Sequence, residues 1–454
     1  MVHIKVKKGL DLPIIGSPTS SLEILKKPKE IAHQFDPYDQ TKLRLLVRQG
    51  DVVAIGQPLC EDKDLPGRYF VSYGNGKVKE IVRGEKRRLV KLIIELFETE
   101  EQIPFLVKKL SDSSYDDVVS QLLVSGLFAF IRKRPFGLLA DPRTPPRSIF
   151  VKACQTAPFQ PQSELYVQGY EQQFALGLKV LQKLTKGKVH LVYKEGSSCK
   201  AFTEAQGVEK HTVAGPYPAS NQSIHIANID PIRKIDDIVW TCSCRNVVAI
   251  GMFFEQAKII TEQTIALGGS EVIPEMRKLY RGRIGHPVKE IVENKLMKGP
   301  YRIIAGDVLT GLKVHLNDFL YHETSLISVI PEGSTRKFLH FFRMGMDSYS
   351  ASGAYLSSHV DASSRKWDFT TSQHGEERFF IDGTIYDRVQ PLPIMTMQLV
   401  KALMAEDFEK ATLLGLYEVE PEDFALCEFV DPCKIEMMDI VRKGIDTFCK
   451  ESLA

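Results

Sequence analysis

The sequence predicts a mixed α/β protein of several domains, and three observations carry that prediction. Residues 47–95 are short strand-like runs cut by glycine turns. Residues 100–255 alternate strand-like and helix-like runs. Residues 392–454 have helical periodicity almost throughout. Strands first, an alternating block next and helices last imply different layer architectures in one chain. The 454 residues leave room for roughly three separate cores.

Composition excludes several classes. Hydrophobic content of 43% and charged content of 26% are ordinary for a soluble globular protein. The longest nearly apolar run is Val247–Phe254, far short of the roughly 20 residues a spanning helix needs. Early lysines are not followed by an apolar stretch, so no signal peptide is expected and the chain should stay in the cytoplasm. A net charge of +2 argues against bulk nucleic-acid binding. The cysteines at 60, 154, 199, 242, 244, 427, 433 and 449 are scattered. None forms a CxxC, and Cys242-Ser-Cys244 has the wrong spacing for a zinc knuckle or redox pair, so buried, reduced thiols are expected.

In order, His3–Val6 alternates as a strand, and residues 1–46 read as an arm added to the first barrel. Gly50-Asp51 and Pro66-Gly67 are turn pairs, and Asn75-Gly76 predicts a type I′ hairpin. Lys77, Lys79, Arg83, Lys86, Arg87, Arg88 and Lys91 crowd one hairpin. They read as a solvated edge strand or as a face for a protein partner or an anionic membrane.

Val118–Phe130 has a helical period, which Pro135 should end after Arg132-Lys133-Arg134. Ser148–Ala153, Lys188–Tyr193 and Asn246–Met252 read as strands around a helix at Glu171–Leu184, giving a Rossmann-like unit with a largely parallel sheet. No phosphate-binding glycine fingerprint, Walker A sequence or GxSxG elbow accompanies it.

A short helix at Val288–Asn294, a strand at Tyr301–Ala305 and Val329-Ile330 suggest a small β-grasp unit. Residues 331–385 read as strands and long loops. His359, Asp361 and His374 lie there without metal-ligand spacing. Helices are expected at Met395–Met404, Asp407–Leu414, from Glu420 onward and at Glu436–Cys449. Asp230-Pro231 and Asp236-Asp237 read as turns. The expected domains are therefore 1–99, a β domain with its N-terminal arm; 100–257, α/β; 258–385, β-grasp with long loops; and 386–454, a helical bundle.

Two resemblances add to this reading. Gly50-Asp51, Gly56-Gln57-Pro58-Leu59 and Gly76-Lys77-Val78 resemble the biotinyl/lipoyl-type barrel. The place of the modifiable lysine holds Lys63-Asp64-Leu65-Pro66-Gly67, with no Met-Lys pair. The 275–330 unit resembles the ligand-binding SLBB module.

Nearly end to end, the chain resembles the family of A subunits of the sodium-translocating NADH:quinone oxidoreductases, Na(+)-NQR. Lys8–Ile14, Val47–Asp51, Gly74–Val78, Arg83–Arg87, Arg134–Phe136, Gly187–Val189 and Leu426–Val430 carry the likeness, in order and at family spacing. The family is similar in architecture to the NADH-binding flavoprotein of complex I and to the C subunit of the Rnf complex, which hold FMN or iron–sulfur clusters. Here only Cys427 and Cys433 occupy the corresponding region, and a cluster needs four thiolates. Asp431 stands where the family more often has a second nearby cysteine. The family's Gly-Pro-His-Pro-Ala-Gly stretch reads Gly215-Pro-Tyr217-Pro-Ala-Ser220, which removes any role of that histidine.

The resemblance implies a peripheral protein on the cytoplasmic face of the bacterial inner membrane. It implies docking on the integral-membrane B subunit of the complex, with a part in binding ubiquinone. NADH, flavins and iron–sulfur chemistry would belong to other subunits, and this chain would bind no cofactor. Arg134 and Phe136 are the candidates for quinone or partner contact, because the loop joins cations, an aromatic ring and a proline-fixed backbone. No catalytic residue and no metal ligand is expected, so the isolated chain would be inactive. The alternatives are an assembly subunit that binds no quinone, and a lipoyl-type carrier or soluble flavin enzyme.

Overall fold

A computed structural model describes residues 1–38, 40–334, 342, 344–359 and 365–452. Asp361 lies outside the described residues. The first unit is a sandwich of two small sheets. One contains Glu30–Gln34, Leu89–Leu96, Gly76–Arg83 and Val52–Val53; the other contains Leu43–Leu45, Pro58–Asp62 and Tyr69–Val71. Ile31, Val53, Leu59, Leu92 and Ile94 fill the space between them and are shielded from solvent.

Asn75-Gly76 is not the tip of a hairpin. Gly76 opens the strand Gly76–Arg83, and the chain crosses there from one sheet to the other. The residue is glycine because a Cβ would lie 2.1 Å from the Glu95 carbonyl oxygen, on the neighbouring strand. The hairpin turn is at 84–88, where Lys86 and Arg87 take positive φ.

Of the N-terminal arm, Glu30–Gln34 and Leu43–Leu45 join this sandwich and the first two strands do not. His3–Lys5 pairs in parallel with Glu209–Ala214, and Leu22–Ile24 pairs in parallel with Leu279–Arg281. The arm therefore contributes an edge strand to each of the two following sheets. Nothing local in an alternating tripeptide selects its partner strand.

The second unit is a seven-stranded sheet. His3–Lys5, Glu209–Ala214, Lys188–Lys194, Ser148–Ala153 and Val239–Ser243 are consecutive and parallel; Arg132–Arg134 and Leu138–Leu139 finish the edge antiparallel. The expected strand at Asn246–Met252 is instead part of the helix Cys244–Gln256. Its N-cap, Ser243, accepts a hydrogen bond from the Asn246 amide at 3.3 Å. The run is apolar all round because the helix is wedged between the sheet and the helix Glu171–Lys183, and such a run does not declare its period. The residues Arg132–Arg134 form a strand, and the preceding helix, Tyr115–Val124, ends well before Pro135, with Gly126 at φ +76°.

Ile149 and Val151 face that helical layer. Phe150 faces the other way, into a core shared with Leu399, Phe424, Val441 and Ile445 from the C-terminal helices. The helices Thr396–Met404, Phe408–Leu413, Ala425–Val430 and Met437–Ser452 thus cover the second face of the parallel sheet. A sheet buried on both faces reads as continuous β-branched and aliphatic runs, as SIFVKA does.

The third unit is a six-stranded sheet in the order Leu312–Val314, Tyr301–Ala305, Leu326–Pro331, Glu262–Gly268, Leu279–Arg283, Leu22–Ile24. The helix Val288–Val292 packs on it through Val288, Ile291 and Val292. Among the described residues no helix is long and apolar enough to cross a membrane.

Candidate functional site

The three units meet around a narrow cleft. His33 comes from the sandwich strand Glu30–Gln34, Tyr73 from the crossing after Tyr69–Val71, Phe130 from the turn Leu127–Phe130, and His322 from the loop before Leu326–Pro331. Their rings form a chain of contacts, two stacked pairs joined by one tilted at 32°. His33 lies 4.5 Å from Tyr73 at 13°, Tyr73 lies 5.1 Å from His322, and His322 lies 4.1 Å from Phe130 at 14°. Tyr38, Phe35 and Phe70 close the apolar wall. The enclosed volume is about 20 Å³, enough for about one water.

Both imidazoles are neutral. Burial drives His33 down to about 3, and burial with the nearby Arg245 cation drives His322 well below its usual range. The Tyr73 amide donates to His33 Nε2 at 3.3 Å, so that ring carries its proton on Nδ1. Burial pushes the Tyr38 and Tyr73 hydroxyls up, so they stay protonated. Arg245 supports the cleft from behind by donating from Nη2 to the His322 carbonyl and to Gln263 Oε1, each at 2.8 Å. His322 Nδ1 and Gln263 Nε2 are buried without a hydrogen-bond partner. The rings pack on one another and leave room for about one water, so the cleft must open before a flat ring can stack there; once open, it would present aromatic faces and neutral polar groups, and it offers no built cradle for a phosphate. None of these residues stands out in the sequence, because each is a lone aromatic or histidine from a distant stretch.

Arg134 and Phe136 are elsewhere and sealed. Arg134 is 1% exposed. It donates to Ser223 Oγ and to the Glu418 carbonyl at 2.9 Å each, and its Nε is 3.2 Å from Glu420. Phe136 packs against Tyr417 and Phe448. The pair is brought together with the C-terminal helices, not with the cleft. In this conformation both are shielded from solvent. The acidic turn docked there is itself crowded. Asp423 accepts from Asn221 Nδ2 at 2.9 Å, and burial raises the carboxyls of Glu420 and Glu422, the latter to about 7.

The switch point of the parallel sheet, between the carboxyl ends of Ser148–Ala153 and Val239–Ser243, is the usual ligand crevice of an open α/β sheet. Here the chain fills it. Phe159 and Leu165 pack on Ala266, Leu279 and Leu326 of the third unit. Ser325 Oγ donates to Gln160 Oε1 at 2.7 Å, and the Cys244 thiol points at the Ser163 carbonyl.

The remaining candidates have structural surroundings. Tyr217 is buried against the N-terminal arm, its amide donating to Asp11 at 2.9 Å, and Ser220 bonds Thr156 at 2.9 Å. Asp431, fully buried, accepts from Tyr386 and from the Cys433 and Ile435 amides. Cys427 is buried and Cys433 partly so. His359 and His374 are exposed, as is Lys63. Among the described residues no group of three or more histidine, cysteine, aspartate or glutamate side chains is placed to hold a metal ion.

Comparison with known proteins fits this division. Residues 4–97 match the model of the NqrA N-terminal barrel-sandwich hybrid domain, 113–259 that of the NqrA second alpha/beta domain, and 264–315 that of the NQRA C-terminal domain. The chain is 34% identical to the A subunit of the Na(+)-translocating NADH-quinone reductase of Rhodopirellula baltica, over 98% of both chains. It is 35% identical to that of Yersinia pseudotuberculosis over 97% of this chain and 98% of the relative, and 35% identical to that of Saccharophagus degradans over 99% and 100%. The crystal structure of an NAD+-reducing [NiFe]-hydrogenase aligns with 76% of this chain and 62% of its own at a TM-score of 0.39 and 12% identity. Sequence identity of this extent, together with three domain matches in chain order, means that the chain belongs to the NqrA family, the A subunits of the Na(+)-translocating NADH-quinone reductases.

Proposed function

We propose that this chain is a peripheral, cytoplasmic-face component of a respiratory, sodium-translocating NADH:ubiquinone reductase. It docks on the integral-membrane B subunit of that complex. It contributes to the quinone site without a redox centre of its own. The α/β unit serves as a Rossmann-like scaffold and the C-terminal helices as a bundle that braces it. NADH oxidation, flavins, iron–sulfur chemistry and sodium movement belong to other subunits, and the isolated chain is inactive as a translocase.

The observation that carries the quinone part is the ring stack of His33, Tyr73, His322 and Phe130 at the meeting of three units. A quinone head is flat, apolar on its faces and an acceptor at two carbonyls, which asks for stacked rings and a few neutral donors. Arg134 and Phe136 enter this proposal as the residues that hold the C-terminal helices in place. The filled switch-point crevice supports a chain without a nucleotide.

The small free volume of the cleft, about 20 Å³, favours a second reading, an assembly subunit that binds no quinone. A photoreactive ubiquinone analogue applied to the purified complex separates the two. The quinone reading expects cross-links near residues 33, 73, 130 or 322, and at least a tenfold rise in quinone KM for Tyr73→Ala with kcat nearly kept. The assembly reading expects no cross-link on this chain and an unchanged KM.

A further inference from the structure

We infer that the turn Tyr321–Thr324 is a lid on the cleft, that its His322 ring fills the place a flat ring would take against Tyr73 and Phe130, and that Arg245 is the latch. This rests on the proposed function above and names how that site is kept shut.

The turn is anchored at both ends and latched between them. Before it, the Leu320 amide donates to the His286 carbonyl at 3.0 Å. After it, the Ser325 carbonyl accepts from the Ala266 amide at 2.9 Å, and Ser325 Oγ donates to Gln160 Oε1. Leu320 and Leu326 sit in apolar cores on either side. The turn closes on itself, the Thr324 amide donating to the Tyr321 carbonyl at 3.1 Å, so it can move as one piece. What latches it is polar. Arg245 Nη2 donates to the His322 carbonyl at 2.8 Å, and Asn246 Nδ2 to Glu323 Oε1 at 3.2 Å. Both latch residues lie in the first turn of the helix Cys244–Gln256.

The shut state carries costs that opening relieves. Arg245 is a cation in the first turn of a helix, where the dipole disfavours positive charge. Its hydrogen bonds go to two neutral oxygens rather than to a carboxylate, and burial lowers its pKa. The two residues it holds, His322 and Gln263, each keep a buried nitrogen without a partner. Such unpaired groups cost free energy that entering water returns.

With His322 in place, 5.1 Å from Tyr73 and 4.1 Å from Phe130, about 20 Å³ is left in the cleft. Swinging the turn out uncovers both rings and frees the space of one flat heterocycle. A ligand that needs those faces binds only the open form, and its apparent affinity is reduced by the fraction of chain that is open. Weakening the latch therefore tightens binding, the opposite of losing a contact.

The test has two readouts. Diethyl pyrocarbonate applied to the full chain reports the exposure of His322 without any quinone. Modification is read by mass spectrometry there, at the exposed His359 and at His225, which is 1% exposed elsewhere in the chain. Quinone KM and kcat are then measured on the purified complex with a short-chain ubiquinone. Arg245→Ala and Glu323→Ala should speed modification of His322 at least fivefold with His359 and His225 unchanged. Arg245→Lys, which keeps a donor for the His322 carbonyl, should stay close to wild type. In the complex, Arg245→Ala and His322→Ala should lower quinone KM at least threefold with kcat nearly kept. If Arg245→Ala melts early, Glu323→Ala carries the first readout, because Glu323 is exposed and its loss removes the Asn246 bond. Modification of His322 at the wild-type rate in Glu323→Ala and in a stably folded Arg245→Ala overturns the lid. So does a His225 that becomes reactive in step with His322 in Glu323→Ala, which marks general loosening. A raised KM in His322→Ala makes that ring a ligand contact instead of a plug and also overturns the inference. Faster modification of His322 with every KM unchanged leaves the lid standing and overturns the quinone reading of the proposed function.

Discussion

Replacing Arg134 with methionine tests whether charge clamps the C-terminal helices to the parallel sheet. Methionine keeps much of the volume and removes the cation beside Glu420, together with the bonds to Ser223 and the Glu418 carbonyl. Removing one member of a buried pair costs about 3–5 kcal/mol when the other charge remains. Glu420 has an escape by protonation. Burial already raises its carboxyl, and Arg134 is the first influence opposing that rise. Without Arg134 its pKa climbs further, so the variant recovers stability as pH falls through the new value, at up to about 1.4 kcal/mol per pH unit. We expect Arg134→Met to lose about 3 kcal/mol at pH 7.5 and roughly 1–2 kcal/mol less than that at pH 5.5, measured by urea unfolding against wild type at each pH. Comparison at each pH is needed because the raised Glu422 also makes the wild type more stable below pH 7. Adding Glu420→Gln should recover about 2 kcal/mol at pH 7.5. A loss under about 1 kcal/mol at pH 7.5, or one indifferent to both pH and Glu420→Gln, would refute the clamp.

Three further outcomes are expected. A Cβ on Gly251 would lie 1.7 Å from the Gln173 carbonyl oxygen, so Gly251→Ala should cost about 2–3 kcal/mol despite the better helix propensity of alanine; a stabilised variant in urea unfolding would contradict the close helix contact. Burial pushes the thiols of Cys154, Cys244 and Cys427 up to about 12. A thiol reagent at pH 8 should therefore label the native chain rapidly only at Cys199 and Cys433, and all eight after unfolding. His211 accepts from the Val2 amide at 3.1 Å and bonds His190 at 2.9 Å, and burial holds it down to about 4. A depressed histidine gives stability that is present above its unfolded pKa and lost as pH falls toward the folded one. Amide exchange in residues 2–5, normalised for intrinsic rate, should thus quicken between pH 6.5 and 4.5, and His211→Gln should abolish that dependence.

Local chemistry in the sequence was enough to place SIFVKA as a strand, the helices at Glu171 and Thr396, and the turns at Gly50 and Gly67, because periodicity and backbone freedom are properties of neighbours. It failed where a residue answers to something distant. Asn75-Gly76 has the composition of a hairpin tip, but its glycine is required by a strand at Glu95. The run 246–252 is apolar for the sake of the layers around it, and so did not reveal a helix. The burial of Arg134 and Phe136 was not legible in their loop, because the C-terminal helices supply it. The family follows from the sequence by itself, since many weak matches in register add up. The ring contacts at the three-unit cleft were decided by the tertiary structure, because they depend on which faces of remote segments meet.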